Sequence, residues 1–254
     1  MKTVLIIGIG AGDPEQLTLQ AIRALNRADV FFVTDKGEAA RELLEFREAL
    51  CKQYATERPY RTIEIADPPR DREADAYAEA VGAWHEARAA AWGAAIRDSL
   101  AEDECGAFLV WGDPSLYDST ISILERVHHD DATAFDYEVI PGITSVQALA
   151  ARHRITFNRV GGAAQITTGR RLREGFPGEA DDVAVMLDGQ LSFRAVLDEP
   201  LDIYWGAYVG MPQEQLVAGD LATVAEEIAQ RRAEARERHG WIMDAYILKR
   251  RPDA

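Results

Sequence analysis

The chain has 254 residues, 47% of them hydrophobic, enough for one large domain or two modest ones, each with a real core. Its 43 acidic against 28 basic side chains leave a formal charge of −15, which repels nucleic acid phosphate and anionic membrane unless the basic residues cluster. Cys51 and Cys105 offer neither metal-type spacing nor a disulfide framework, which suits a reducing cytoplasm, and no run approaches the ~18 consecutive apolar residues of a membrane span.

The first apolar run, residues 4–9, is short, β-branched and cut off by Asp13-Pro14-Glu15; it reads as a buried parallel strand rather than a targeting signal. Residues 14–28 are then expected to be a helix, with Asp13 as N-cap and Pro14 at its first position. A second strand at 30–33 is followed by a charged amphipathic helix at 38–54, a third strand at 63–65 and a polar loop at 66–74. The alanine-rich segment 73–100 carries Tyr77, Val81, Trp84, Trp92 and Ile96 near helical spacing, a packing stripe. Strands at 107–111 and 137–140 complete an alternation that predicts a mostly parallel sheet with both faces covered. After Pro141 the strand candidates 165–168, 183–187, 202–208 and 216–219 crowd together, then a helix runs over 222–239 to a Gly240 C-cap and a last strand covers 241–248. The expectation is an α/β N-terminal domain over 1–140, a mixed α+β domain over 141–254 and a frayed tail after Lys249.

Three turns follow predicted strands, where parallel sheets bind ligands. The first, Gly8-Ile9-Gly10-Ala11-Gly12-Asp13, matches the dinucleotide fingerprint only in part, because Asp13 stands where the third glycine belongs and Pro14 lacks an N–H. Asp35 sits about where a ribose-binding acid would, so nicotinamide binding remains an alternative. The second turn is "GDPSLY" at 112–117; like residues 12–14 it carries Gly-Asp-Pro, which fits an N-cap with proline at the first helical position. The third, "PGITS" at 141–145, offers Thr144 or Ser145 as a helix cap or as a polar ligand contact. Between Val139 and Arg173 there is no acidic residue but six arginines, 152, 154, 159, 170, 171 and 173. Such a zone suits a ligand bearing several carboxylates or phosphates, or is a scattered set of solvated arginines. The pair His128-His129 is placed in a loop, His85, His153 and His239 stand alone, and none has zinc spacing.

Taken together, the glycine loop with Asp13, "GDPSLY" and "PGITS" resemble the tetrapyrrole methylases, a class of S-adenosylmethionine-dependent methyltransferases. Further stretches resemble members that methylate C-1 of precorrin-5 and release acetate: "LNRADVFFVTDKG" at 25–37, "PGITSVQALAARHRI" at 141–155, "ITTGRRL" at 166–172 and "HGWIMDAY" at 239–246. The resemblance implies a two-domain α/β protein with the cofactor in the cleft between domains, a cytoplasmic homodimer, and a polycarboxylate tetrapyrrole as substrate. It carries Gly112, Asp113, Leu116, Thr144, Ser145 and Met186 over as cofactor contacts, with Gly206 and Ala207 on a looser match. Gly10, Ala11 and Gly12 fall on the substrate side, joined by Arg152, Arg154, Arg170 and Arg171; relatives often have proline where this chain has Ala11. Methyl transfer needs positioning more than a strong base, but acetate release needs water to attack an acyl carbonyl. Asp13 and Tyr117 are the candidates to assist that attack, with His153 third. The competing readings are a methylase for another corrinoid position, a nicotinamide-dependent oxidoreductase and a non-catalytic corrinoid carrier.

Overall fold

The computed structural model describes residues 1–35, 41–69, 77–129 and 134–251. The expected helix at 38–40, most of the loop before the alanine-rich helix, and the side chains of Asp35, Tyr77 and Val81 lie outside the described residues. The chain divides into two compact units, Met1–Gly10 with Pro14–Ile143, and Ala11–Asp13 with Thr144–Ala254.

Five parallel strands build the first unit: β1 (Lys2–Gly8), β2 (Val30–Asp35), β3 (Arg61–Ala66), β4 (Cys105–Val110) and β5 (Phe135–Ile140), in the order β3-β2-β4-β1-β5. Because side chains alternate along a strand, β1, β2, β4 and β5 each feed two cores, while β3 feeds one through Ile63 and Ile65. Val4, Ile6, Phe32 and Phe108 meet Trp92 and Ile96 of α3 (Tyr77–Ser99) and Ile123 and Leu124 of α4 (Thr120–His128). Leu5, Ile7, Phe31 and Ala107 meet Ala21 and Leu25 of α1 (Leu19–Arg27) and Leu50 of α2 (Arg41–Tyr54). Phe108 stacks on Phe32 at 5.0 Å and on Trp92 at 4.3 Å; of the expected stripe Trp92 and Ile96 are buried, while Trp84 is half-buried.

Three local expectations give way here. Pro14–Gln16 is a single 3-10 turn, and α1 starts only at Leu19 because the Thr18 hydroxyl accepts the Ala21 N–H at 3.0 Å and caps the helix there. Similarly, α4 begins at Thr120, six residues after Pro114; Asp113 instead caps a tight turn in which the Leu116 N–H bonds its carbonyl at 3.2 Å. His128 is the last residue of α4 and His129 its C-cap, not a loop pair.

The second unit holds a mixed sheet in the order β6-β7-β10-β8-β9, from β6 (Ala164–Thr168), β7 (Asp182–Met186), β8 (Leu201–Ala207), β9 (Gln215–Asp220) and β10 (Asp244–Arg250). Only β6 and β7 pair in parallel. Helix α5 (Ser145–His153) covers the face bearing Tyr204 and Gly206, where Leu149 occupies the space a Gly206 side chain would need. Helix α7 (Leu221–His239) takes the opposite face, reaching the Trp205 side through Arg232, and ends at Gly240 with φ +75°. A short α6 (Gly169–Leu172) follows β6. The expected strands at 183–187 and 202–208 each stop one residue early, because Leu187 (φ 54°) and Tyr208 (φ 51°) turn into the left-handed region. Nor is the tail frayed as far as Arg251: Arg250 is the last residue of β10, and the Arg251 N–H bonds the Pro200 carbonyl at 2.8 Å.

Candidate active site

In the first unit the site grows from three adjacent strand tips without side chains. A Cβ on Gly142 would lie 2.1 Å from the Gly112 carbonyl oxygen, and one on Gly8 would lie 2.6 Å from the Gly142 nitrogen. The ends of β1, β4 and β5 can therefore close on one another only as glycines. Gly10 at φ +80° extends the contact, pairing with Gly112 through N–H···O bonds of 3.3 and 2.8 Å.

Asp113 fastens these tips. One carboxylate oxygen accepts the Gly142 N–H at 2.8 Å; the other accepts the Ser115 N–H at 2.8 Å and the Ser115 hydroxyl. Burial works to raise its carboxyl, but the Ser115 hydroxyl and the Gly142 and Ser115 amides outweigh it and hold the group below its ordinary value. Leu116 is half-buried, while Tyr117 is 45% exposed and held left-handed at φ 53°. Burial raises the Tyr117 phenol, so it is protonated at neutral pH.

One residue of this edge escaped the sequence reading. Beyond Phe32 and Phe108, β2 no longer pairs with β4, although β4 continues beside β1 to Val110. Arg47 Nε of α2 donates to the Leu109 carbonyl at 3.2 Å, and Arg47 Nη1 to Leu43 O at 3.2 Å. Burial lowers the guanidinium from its ordinary value and Asp118 opposes this. Arg47 lies in a helix rich in charges, so no spacing singles it out.

In the second unit, β6, β7 and β8 end on the edge where β9 and β10 begin. That edge collects Met186, Gly206 and Ala207, and α6 brings Arg170 and Arg171 beside the end of β6. The loop Ala11–Asp13 belongs to this unit: Gly210, at φ +84°, has no room for a Cβ, which would lie 2.7 Å from the Asp13 nitrogen. Arg152 pairs with Glu214 at 2.9 Å and lies 4.0 Å from Asp13, and Glu214 also accepts the Gly210 N–H at 2.8 Å. Arg152 is thus bound into the fold, and Arg171 pairs with Glu174 at 3.0 Å. Arg159 takes Asp182, at the far end of β7. Arg154 is exposed in the left-handed C-cap of α5.

Thr144 caps α5 in a reciprocal box: its hydroxyl accepts the Gln147 N–H at 3.2 Å, and its own N–H donates to Gln147 Oε1 at 2.9 Å. Ser145, half-buried, is the first helical residue. His153 Nε2 lies 3.0 Å from the Trp205 carbonyl, so that nitrogen carries the proton and Nδ1 holds the lone pair. Burial lowers the imidazole's affinity for a second proton, opposed by the Trp205 carbonyl and Glu214. Among the described residues no group of His, Cys, Asp or Glu is arranged to hold a metal, and no helix is long and apolar enough to cross a membrane. The glycine loop also lacks the helix N-terminus that a dinucleotide pyrophosphate needs, since Pro14–Gln16 is a lone 3-10 turn.

Comparison with known proteins agrees with this architecture. Residues 3–225 match the family model described as Tetrapyrrole (Corrin/Porphyrin) Methylases. The chain is 50% identical over 253 residues to precorrin-6A synthase [deacetylating] of Sinorhizobium sp, covering all of this chain and 97% of that protein. A solved structure of a cobalamin synthesis related protein (CobF) from Corynebacterium diphtheriae superposes with a TM-score of 0.84 at 39% identity, covering 98% of both chains. Uroporphyrin-III-C-methyltransferase from Thermus thermophilus shares the fold, with a TM-score of 0.61 at 22% identity over 98% of this chain and 94% of that one. With parallel and mixed sheets in sequence and a family model spanning most of its length, the chain belongs to the tetrapyrrole (corrin/porphyrin) methylases.

Proposed function

We propose that the chain methylates C-1 of precorrin-5 with S-adenosylmethionine and releases acetate, giving precorrin-6A in cobalamin synthesis. The carrying observation is the full-length 50% identity to the Sinorhizobium precorrin-6A synthase. The residues suit the donor. The half-buried Met186 and the exposed Leu187 offer an apolar surface for a purine. When bound, S-adenosylmethionine supplies a methyl already activated on a sulfonium, so the protein need only align it with the ring carbon and exclude water, an effect worth up to ~7–11 kcal/mol.

Gly112, Asp113, Leu116, Thr144, Ser145, Met186, Gly206 and Ala207 form the donor set in this reading, with Asp113 acting by fixing the turns. Gly10, Ala11 and Gly12 face the tetrapyrrole, whose carboxylates meet Arg154, Arg170 and Arg171. Asp13 takes the proton of the water that attacks the acyl carbonyl, Tyr117 donates to the developing oxyanion, and the acyl–ring carbon bond then breaks with its electron pair returning to the macrocycle as acetate leaves; Arg152 lies 4.0 Å from the Asp13 carboxylate. The chain works as a homodimer in the cytoplasm; light scattering of the purified protein should give twice the mass of one chain.

Incubation with precorrin-5 and methyl-labelled donor should yield one labelled methyl and one acetate per turnover. Methyl transfer without acetate would point to another corrinoid position, and no transfer would defeat the reading. Asp13→Asn should slow acetate release by about 100-fold or more, the lower range for general base catalysis. Acetate release at the wild-type rate would remove Asp13 from its role.

A further inference from the structure

Leu187 combines two unfavourable states. It is a large apolar side chain left 66% exposed, and its backbone sits at φ 54°, a region costly for any residue with a Cβ. It directly follows Met186, the last residue of β7. Unsupported, residue 187 would relax into an extended strand, which is how its sequence reads.

Immediately behind it lies a buried polar assembly. Asp188 accepts the Ser192 N–H at 2.6 Å, the Ser192 hydroxyl at 2.8 Å, the Gln190 N–H at 3.0 Å and the Tyr246 hydroxyl at 2.7 Å. Its backbone carbonyl accepts Arg232 Nη2 at 2.8 Å, and Arg232 Nε and the Trp205 indole N–H both donate to Asp244 Oδ2, each at 3.0 Å. Asp188, Ser192, Arg232, Trp205 and Tyr246 are all buried. The fit is close: a Cβ on Gly169 would fall 2.5 Å from the Asp188 carboxyl carbon. Burial and the neighbouring Asp188 push the Tyr246 phenol up, so it stays a donor. This many charge-assisted bonds converging on one buried carboxylate over-determine the backbone at 188, and the chain just before it must take the bend.

We infer that Asp188 is a positioning residue: with Tyr246 and Arg232 it locks the Met186–Leu187 bend left-handed, holding the Leu187 side chain out as part of the surface that binds the methyl donor's apolar end. The inference rests on the reading of the chain as an S-adenosylmethionine-dependent methylase. Met186 was already a candidate contact; Leu187, Asp188 and Tyr246 were not.

The test is calorimetric titration of the full-length chain with S-adenosylhomocysteine, together with separate KM values for donor and precorrin-5. Tyr246→Phe removes one bond to Asp188, Asp188→Asn its charge, and Leu187→Gly the exposed side chain while tolerating the bend. Each should weaken S-adenosylhomocysteine binding by about tenfold and raise the donor KM, with the precorrin KM and kcat within about twofold of wild type. Leu187→Gly should keep the wild-type melting temperature, which separates a positioning role from loss of folding. Wild-type donor affinity in folded Leu187→Gly or Tyr246→Phe would overturn the inference. A wild-type chain that binds no S-adenosylhomocysteine at all would instead overturn the methylase reading on which it rests.

Discussion

Gly142 has the least room to vary. Any side chain there would press on the Gly112 carbonyl oxygen from 2.1 Å, and the obstacle is backbone, which cannot swing aside. Gly142→Ala should destabilise the chain by about 3 kcal/mol, the upper end of ordinary overpacking costs, read as a drop in the denaturant midpoint. Asp113 predicts a pH effect at the same place. Its folded carboxyl sits below the ordinary 3.8, so the unfolded chain binds its proton more readily. Its stabilisation is therefore complete above that ordinary value and drains away as the pH falls through the folded one. The difference in stability between wild type and Asp113→Asn should accordingly be constant near neutrality and shrink below about pH 4. A gap that persisted to pH 2 would mean that the charge on Asp113 is not what fastens the turns.

At the scale of elements, α5 tests whether Thr144 is a cap or a ligand contact, two roles the sequence left open. Thr144→Ala should cost about 1 kcal/mol through loss of the cap. Thr144→Asp restores the cap, so it should recover stability but not donor affinity if the hydroxyl also meets the donor. Recovery of both would assign Thr144 to the helix alone. The strands of the first unit were readable because fully buried parallel strands leave unbroken β-branched runs, as at residues 4–9. The break before α1 was not, since Asp13-Pro14 is also a good helix start and only the Thr18 hydroxyl, three residues from Ala21, moves the cap. Leu187 and Tyr208 were likewise hidden: their runs look like plain strands, and the bends come from partners distant in sequence, Tyr246 beside Asp188 and the Trp241 carbonyl accepting the Tyr208 hydroxyl at 2.6 Å. Of the candidate site, the glycines and Asp113 were visible as motifs, but that Asp113 serves Gly142 and Ser115 was not. The arginine zone was visible as charge, yet Arg152 and Arg159 proved to be committed to Glu214 and Asp182.

For the molecule as a whole, a net charge of −15 must be reconciled with a substrate that is itself a polyanion. In the proposed reading, approach is repulsive at long range and becomes favourable near Arg154, Arg170 and Arg171. Added salt screens both, but the Debye length of about 8 Å at physiological ionic strength leaves the close contacts less affected than the distant repulsion. Replacing Arg170 with alanine should raise the precorrin KM at least threefold while the donor KM moves less than twofold. The reverse pattern would move Arg170 out of the substrate site. Each unit also carries its own set of buried side chains, from Trp92 and Phe108 in one to Trp205 and Tyr246 in the other.

Three strand ends that meet only as Gly8, Gly112 and Gly142 have a consequence for how such a catalyst can diversify. Mutation has no foothold there, because a side chain at 8 or 142 collides with main chain and Gly112 sits in the left-handed region at φ 69°. A new regiochemical preference would have to be written in neighbouring segments while that junction stays invariant. Attempts to redirect methylation by directed evolution should therefore accumulate their successful changes around positions 116–118 and 187–191, and none at 8 or 142.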